Sequence, residues 1–193
     1  MASASCTAFQ GVKRIASGPL AEVAAKVKLV VDLGEPSSIL IFDDVTAEPI
    51  EVDLRGSVQD VVARLSGRSE NVAPSQPEQR GPGRPKLGVV AREVTLLPRH
   101  WEWLARQPGG ASVALRKLVE AARRGNSGKD RRREAQAAAY RFMSALAGNE
   151  PGFEEAARAL FAGNEPRFGE LIAAWPRDIR DYAKALAAPA FAA

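Results

Sequence analysis

The sequence predicts an α+β protein assembled in segments: a small N-terminal α/β module over residues 1–65, a flexible Pro/Gly-rich linker over 66–86, a central strand-helix-helix segment over 87–125 and a C-terminal helical bundle over 126–193. Three observations predict this. Apolar residues recur at both strand and helix periods in the first 65 residues, periodicity disappears from 66 to 86, and the last third carries helical spacing interrupted by a repeated turn. A chain of 193 residues that is 46% hydrophobic can bury one sizeable core or two small ones.

The N-terminal module reads as strand, helix, strand, strand. A short apolar stretch around 9–15 is the first strand. Gly18-Pro19 then opens "LAEVAAKVKLVVDLG", in which Leu20, Val23, Ala24, Val27, Val30 and Val31 fall at helical spacing and Gly34 can close the end. "SILIF" follows as a buried strand. After the turn "DDVTAEP", the stretch "IEVDLR" alternates Ile50, Val52 and Leu54 with Glu51, Asp53 and Arg55, as a half-exposed strand requires. Ser57 is placed to N-cap a helix carrying Val58, Val61, Val62 and Leu65.

Charge is concentrated in the middle. Residues 80–133 hold 14 basic and 4 acidic side chains, against 7 and 11 in 1–79 and 6 and 8 in 134–193. Such a block is the footprint of a polyanion partner, and equally of a solvated basic surface. Inside the linker, "PGRPK" at 82–86 has a glycine for close backbone approach, prolines that hold the chain extended and an arginine suited to a narrow minor groove. It resembles an AT-hook, with Pro82 where a second arginine is usual, and is otherwise plain basic linker. The resemblance implies contacts to A·T-rich DNA from Arg80, Arg84 and Lys86.

The stretch "REVTLLPRHWEWLARQPGGASVALRKLVEAARR" gives a short strand at 92–97, a short helix with Trp101 and Leu104 inward, a glycine turn at Gly109-Gly110, and a second helix with Leu115, Leu118, Val119 and Ala122 on one face. That order resembles the ribbon-helix-helix DNA-binding proteins, in which two chains pair their strands into a ribbon. The resemblance implies a homodimer, base contacts from Arg92 and Thr95, a phosphate at Ala111-Ser112, and backbone charge from Arg116 and Lys117. Placing Val94 and Leu96 inside instead shifts the register by one residue and exchanges the strand's faces. Two further readings stay open: a helix-turn-helix with "QPGG" as its turn, and Trp101, Trp103 and Leu115 as simple core.

"AGNEPGF" at 147–153 and "AGNEPRF" at 162–168 repeat after fifteen residues. Gly148 and Gly163 can each end a helix in the left-handed region, Asn149 and Asn164 can cap the next, and proline fits a first turn. Phe142, Leu146, Phe153, Leu160, Phe161, Phe168, Leu171, Ile172, Trp175, Ile179 and Tyr182 are the predicted core of antiparallel helices, with a protein-binding groove there as the alternative.

Residues 1–9 lack the pattern of a signal peptide and no apolar run reaches membrane-spanning length, which predicts a cytoplasmic protein without membrane contact. Cys6, read as part of a tail, and His100 are the sole cysteine and histidine; they exclude an intramolecular disulfide and argue against a Cys/His zinc site. His100 has no acidic orienter beside it, "GNSGKD" at 125–130 is too short between glycines for a phosphate loop and reads as a flexible basic turn, and Asp43-Asp44 fits turn chemistry. No enzyme, metal or cofactor is expected. "ILIFDD", "GRPKLGVVAREVTLLPRHW" and "AGNEP" together resemble a bacterial family, domain of unknown function 2239, over nearly the whole chain. The resemblance implies a bacterial, cytosolic protein and no mechanism. The functional expectation is a DNA-binding protein, regulatory or nucleoid-associated; the alternative is a protein–protein adaptor whose basic middle meets an acidic protein.

Overall fold

The computed structural model describes residues 5–34, 38–70, 90 and 92–192. Two compact units emerge, the first drawn from Met1–Val72 and Gly128–Ala193, the second from Ala73–Ser127. The class is α+β. The AT-hook-like residues 82–86, with Arg80, Arg84 and Lys86, lie outside the described residues, as does most of the predicted linker.

The first unit begins with a hairpin rather than one strand. β1 (Ser5–Gln10) pairs antiparallel with β2 (Lys13–Pro19), and β1 also pairs antiparallel with β3 (Ile39–Asp43), giving the order β2-β1-β3. Gly11, at φ 55°, makes the reversal that the apolar stretch 9–15 concealed. Cys6 is correspondingly no tail residue; it sits in β1, 1% exposed. Between the second and third strands, α1 (Leu20–Asp32) crosses the sheet, and Gly34 follows its end at φ 76°, as its position predicts.

Strand periodicity gives the sheet two buried faces. Cys6, Ala8, Ala16 and Ile41 pack with Val23 and Val27 of α1, joined by the partly buried Ile50, Val52 and Leu54. Phe9 and Phe42 point the other way, into a core formed with helices from the far end of the chain. The alternation of "IEVDLR" therefore reports burial and not pairing. An isolated bridge, Phe42 to Pro49, carried by the Ile50 N–H to Ile41 carbonyl and Asp43 N–H to Glu48 carbonyl bonds, joins its start to β3. Ser57 and Asp60 then start α2 (Val58–Glu70) reciprocally: the Asp60 N–H donates to Ser57 Oγ at 3.2 Å, and the Ser57 N–H to Asp60 Oδ2 at 2.8 Å.

In the second unit, α3 (Pro98–Ala105) precedes α4 (Gly110–Leu146), a helix of 37 residues. The unit boundary falls inside α4, and "GNSGKD" is helical throughout, not a turn. Good helix formers on both sides carry propagation across Gly125 and Gly128 at about 1 kcal/mol each relative to alanine. Residues 92–97, expected as a strand, pair with none of the strands among the described residues. Trp101, predicted inward, is 41% exposed, whereas Leu104 is buried.

The C-terminal helices are α5 (Phe153–Ala162), α6 (Glu165–Leu171) and α7 (Arg177–Phe191). They were expected as a separate bundle. Instead Phe142 and Tyr182 meet Phe9 and Phe42 in one aromatic cluster, with Phe142–Tyr182 centroids 4.7 Å apart and Phe9–Tyr182 5.2 Å apart. Phe161, assigned to the core, is exposed; the other predicted core residues are buried or packed against this cluster.

The two "AGNEP" copies diverge at one residue. In the second, Gly163 is left-handed at φ 72° and Asn164 accepts the Arg167 N–H at 3.1 Å, as predicted. In the first, Gly152 stands where Arg167 does, takes φ 76°, and becomes the N-cap of α5. The helix thus starts after the motif, so Asn149 caps nothing and Gly148 is not left-handed.

Asp44 ties sheet and helices together. Its carboxylate accepts from Ser5 Oγ at 2.5 Å, from Thr7 Oγ1 at 2.7 Å and from Tyr182 Oη at 2.8 Å, and Thr7 also meets Ser17 Oγ at 2.9 Å. The turn behind it is held by Asp43 Oδ1, which accepts the Val45 and Thr46 N–H groups, and by Arg141 donating to the Thr46 carbonyl. That bracing sustains Ala47 at φ 52°, fully buried. Removing the acceptor takes the carboxylate from the buried Tyr182 hydroxyl and leaves Thr7 with Ser17, so Asp44→Ala should destabilise the first unit by about 1–3 kcal/mol. Urea melts of wild type and variant at neutral pH measure it, and an unchanged midpoint would contradict the assignment.

Burial, then the charges of Asp44 and Asp43, push the Cys6 thiol up to about 11. Burial, then the bond to Asp44, also pushes the Tyr182 phenol up. Both groups hold their protons more tightly folded than unfolded, where they ionise near about 8.5 and 10. Their contribution to stability is whole below about pH 8.5 and is lost as pH rises toward 11 and above. Urea midpoints should accordingly fall from about pH 9 upward, and thiol reagents at about pH 8 should label Cys6 slowly in the native protein and quickly in urea.

Candidate functional site

The second unit is small and unusually open. Among its described residues only Leu104 and Ala114 are buried, while Val94, Leu97, Trp101, Trp103, Leu118 and Val119 are exposed. Leu97 is the extended N-cap of α3 and Pro98 occupies its first turn, where a missing N–H costs nothing. The Leu97 carbonyl accepts from the His100 and Trp101 N–H groups.

Cations dominate this surface. Arg92, Arg99, Arg106, Arg116, Lys117, Arg123 and Arg124 are all exposed. From residue 116 to 127, α4 is exposed around its whole circumference. Its charges are fixed only lightly: Arg116 Nε donates to the Ser112 carbonyl at 3.2 Å, Arg124 Nε to the Glu120 carbonyl at 3.3 Å, and Arg123 meets the Glu120 carboxylate at 3.4 Å. Exposed pairs of this kind contribute little to stability. The guanidinium groups keep donors for another partner.

The predicted site residues divide into two groups. Arg92 and Thr95 lie exposed in the irregular segment 92–97, while Ser112, Arg116 and Lys117 lie exposed in the first turns of α4. The sequence reading missed Trp103. Its side chain, 51% exposed, lines a groove of about 220 Å³ with Gln107, Pro108, Ala114, Lys117 and Leu118. Gln107 Nε2 donates to the Trp103 carbonyl at 3.1 Å. Arg99 and His100 stand four and three residues before Trp103, which places both on its side of α3, and Arg106, the C-cap, and Gln107 follow the helix end. That spacing was visible in "RHWEWLARQ".

The family model described as "Uncharacterized protein conserved in bacteria (DUF2239)" matches residues 5–187. The chain belongs to this family. No curated protein and no solved structure matches it. The DUF2239 match runs through both compact units, so the basic second unit lies inside the family's extent and is not an appendage to it. No helix among the described residues is long and apolar enough to cross a membrane, and no group of three or more His, Cys, Asp or Glu among them could hold a metal ion.

The glycines of α4 are open to replacement, since a Cβ at Gly125 or Gly128 meets nothing within 4 Å and neither has positive φ. Gly125→Ala with Gly128→Ala should raise stability by about 0.5–1 kcal/mol per site and deepen the far-UV helix signal. A decrease in ellipticity would contradict a continuous α4.

Proposed function

We propose that this DUF2239 protein binds nucleic acid, DNA in the first instance, through the exposed cations of its second unit, in a regulatory or nucleoid-associated role. The observation that carries the reading is α4 between 116 and 127: a helical stretch with no buried face, bearing Arg116, Lys117, Arg123 and Arg124 against the single acid Glu120. Such a stretch gains nothing from packing. A row of phosphates supplies the counter-charge, with counterion release as the driving force. In the finer form of the proposal, residues 92–97 of two chains pair as a ribbon and the arm at 82–86 reaches a minor groove.

With about six cations engaged, log affinity should fall against log salt with a slope near −5, weakening binding about a thousandfold between 50 and 200 mM. Arg123→Gln with Arg124→Gln should shallow that slope by about 2. A gel-shift titration with A·T-rich and G·C-rich duplexes measures both, and a salt-independent response would remove DNA as the partner. The exposed Val94, Leu97, Trp101 and Val119 favour a second reading, a protein partner, another copy of the chain included. Excess duplex separates the two, since it should displace nothing from a protein adaptor.

A further inference from the structure

We infer that the groove lined by Trp103 and Lys117 accepts a single unstacked nucleobase, so that the preferred ligand is single-stranded nucleic acid; this rests on the nucleic-acid reading above and specifies its substrate class. The groove combines two chemistries that seldom meet on an unoccupied surface. One side is an indole left 51% exposed, although tryptophan is a side chain whose burial yields a large hydrophobic gain. Also lining it are a cationic residue, Lys117, and the small Ala114.

Charge complementarity selects the occupant. Lys117 of α4 lines the groove itself, and the exposed Arg99, four residues before Trp103, and Arg106, the C-cap of α3 three residues after it, add positive charge to the same short stretch of chain. A purely apolar protein segment would leave those cations uncompensated. A nucleotide chain satisfies both demands, because each base offers a π-face and each linkage a phosphate. A duplex satisfies only the second, since its bases are already stacked and extruding one costs a few kcal/mol. Trp101 does not line the groove, which makes it an internal control.

The test is fluorescence anisotropy of the full chain with a labelled thymidine homo-oligomer and with the matching duplex, at one fixed salt concentration. Trp103→Ala should weaken single-strand binding about five- to a hundredfold and leave duplex binding within about twofold. Trp103→Phe should recover most of the loss, Trp103→Leu should not, and Trp101→Ala should leave the single-strand affinity unchanged. The Leu variant keeps apolar bulk without a π-face, so it carries the test even if the Ala variant loses its far-UV helix signal. Equal weakening of both ligands, no effect on either, or a change of oligomeric state in light scattering on replacing Trp103 would each overturn the stacking site. In the first two cases salt-dependent binding persists and the nucleic-acid reading stands; if wild type binds neither ligand, both fall together.

Discussion

A three-stranded sheet with apolar side chains on both faces cannot be stable until both are covered, and the first unit is organised around that constraint. Local chain covers one face: α1 follows directly from β2 and lays Val23 and Val27 over Cys6, Ala8 and Ile41. Phe9 and Phe42 on the other face are covered by Phe142 of α4 and Tyr182 of α7. The hydroxyl of Tyr182 bonds to Asp44, which is in turn bonded to Ser5 and Thr7. Hydrophobic contact and a charge-assisted hydrogen-bond network therefore close the same seam, one supplying most of the energy and the other fixing the register of the contact.

The second unit follows the opposite rule. It buries little and exposes cations and indoles, so its surface is shaped by what it can meet and not by what it can hide. Among the described residues no buried side-chain nitrogen or oxygen lacks a hydrogen-bond partner, so the openness of the second unit leaves no buried polar group unsatisfied.

Local signals were legible wherever one residue decides a local conformation. Ser57 before α2, Gly34 after α1 and Asn164 before α6 were readable because capping depends on neighbours a few residues away. Long-range pairing was not. "IEVDLR" alternates as a strand does, yet alternation records which side chains are buried, and Ile50, Val52 and Leu54 are partly buried without a ladder. The small residues around Cys6 resembled a tail because they carry little apolar bulk of their own, and their burial comes from pairing with β2 and β3 and from the cover of α1. Gly152 in place of Arg167 altered one cap and moved the helix start with it. At the candidate site the exposed cations were legible from composition, but Trp103 was not, since tryptophan in an amphipathic helix reads first as core.

The seam between β1 and α7 also sets a schedule for the newborn chain. Asp44 and Tyr182 are separated by 138 positions, and at roughly 5–20 residues per second the ribosome needs on the order of ten seconds to deliver the second after the first. Throughout that interval the hairpin and α1 can assemble while Phe9 and Phe42 wait uncovered, because the helices that shield them have not been made. The nascent sheet then carries an aromatic surface of the kind chaperones capture, and completion of this unit waits for α7 to arrive and for a long loop to close.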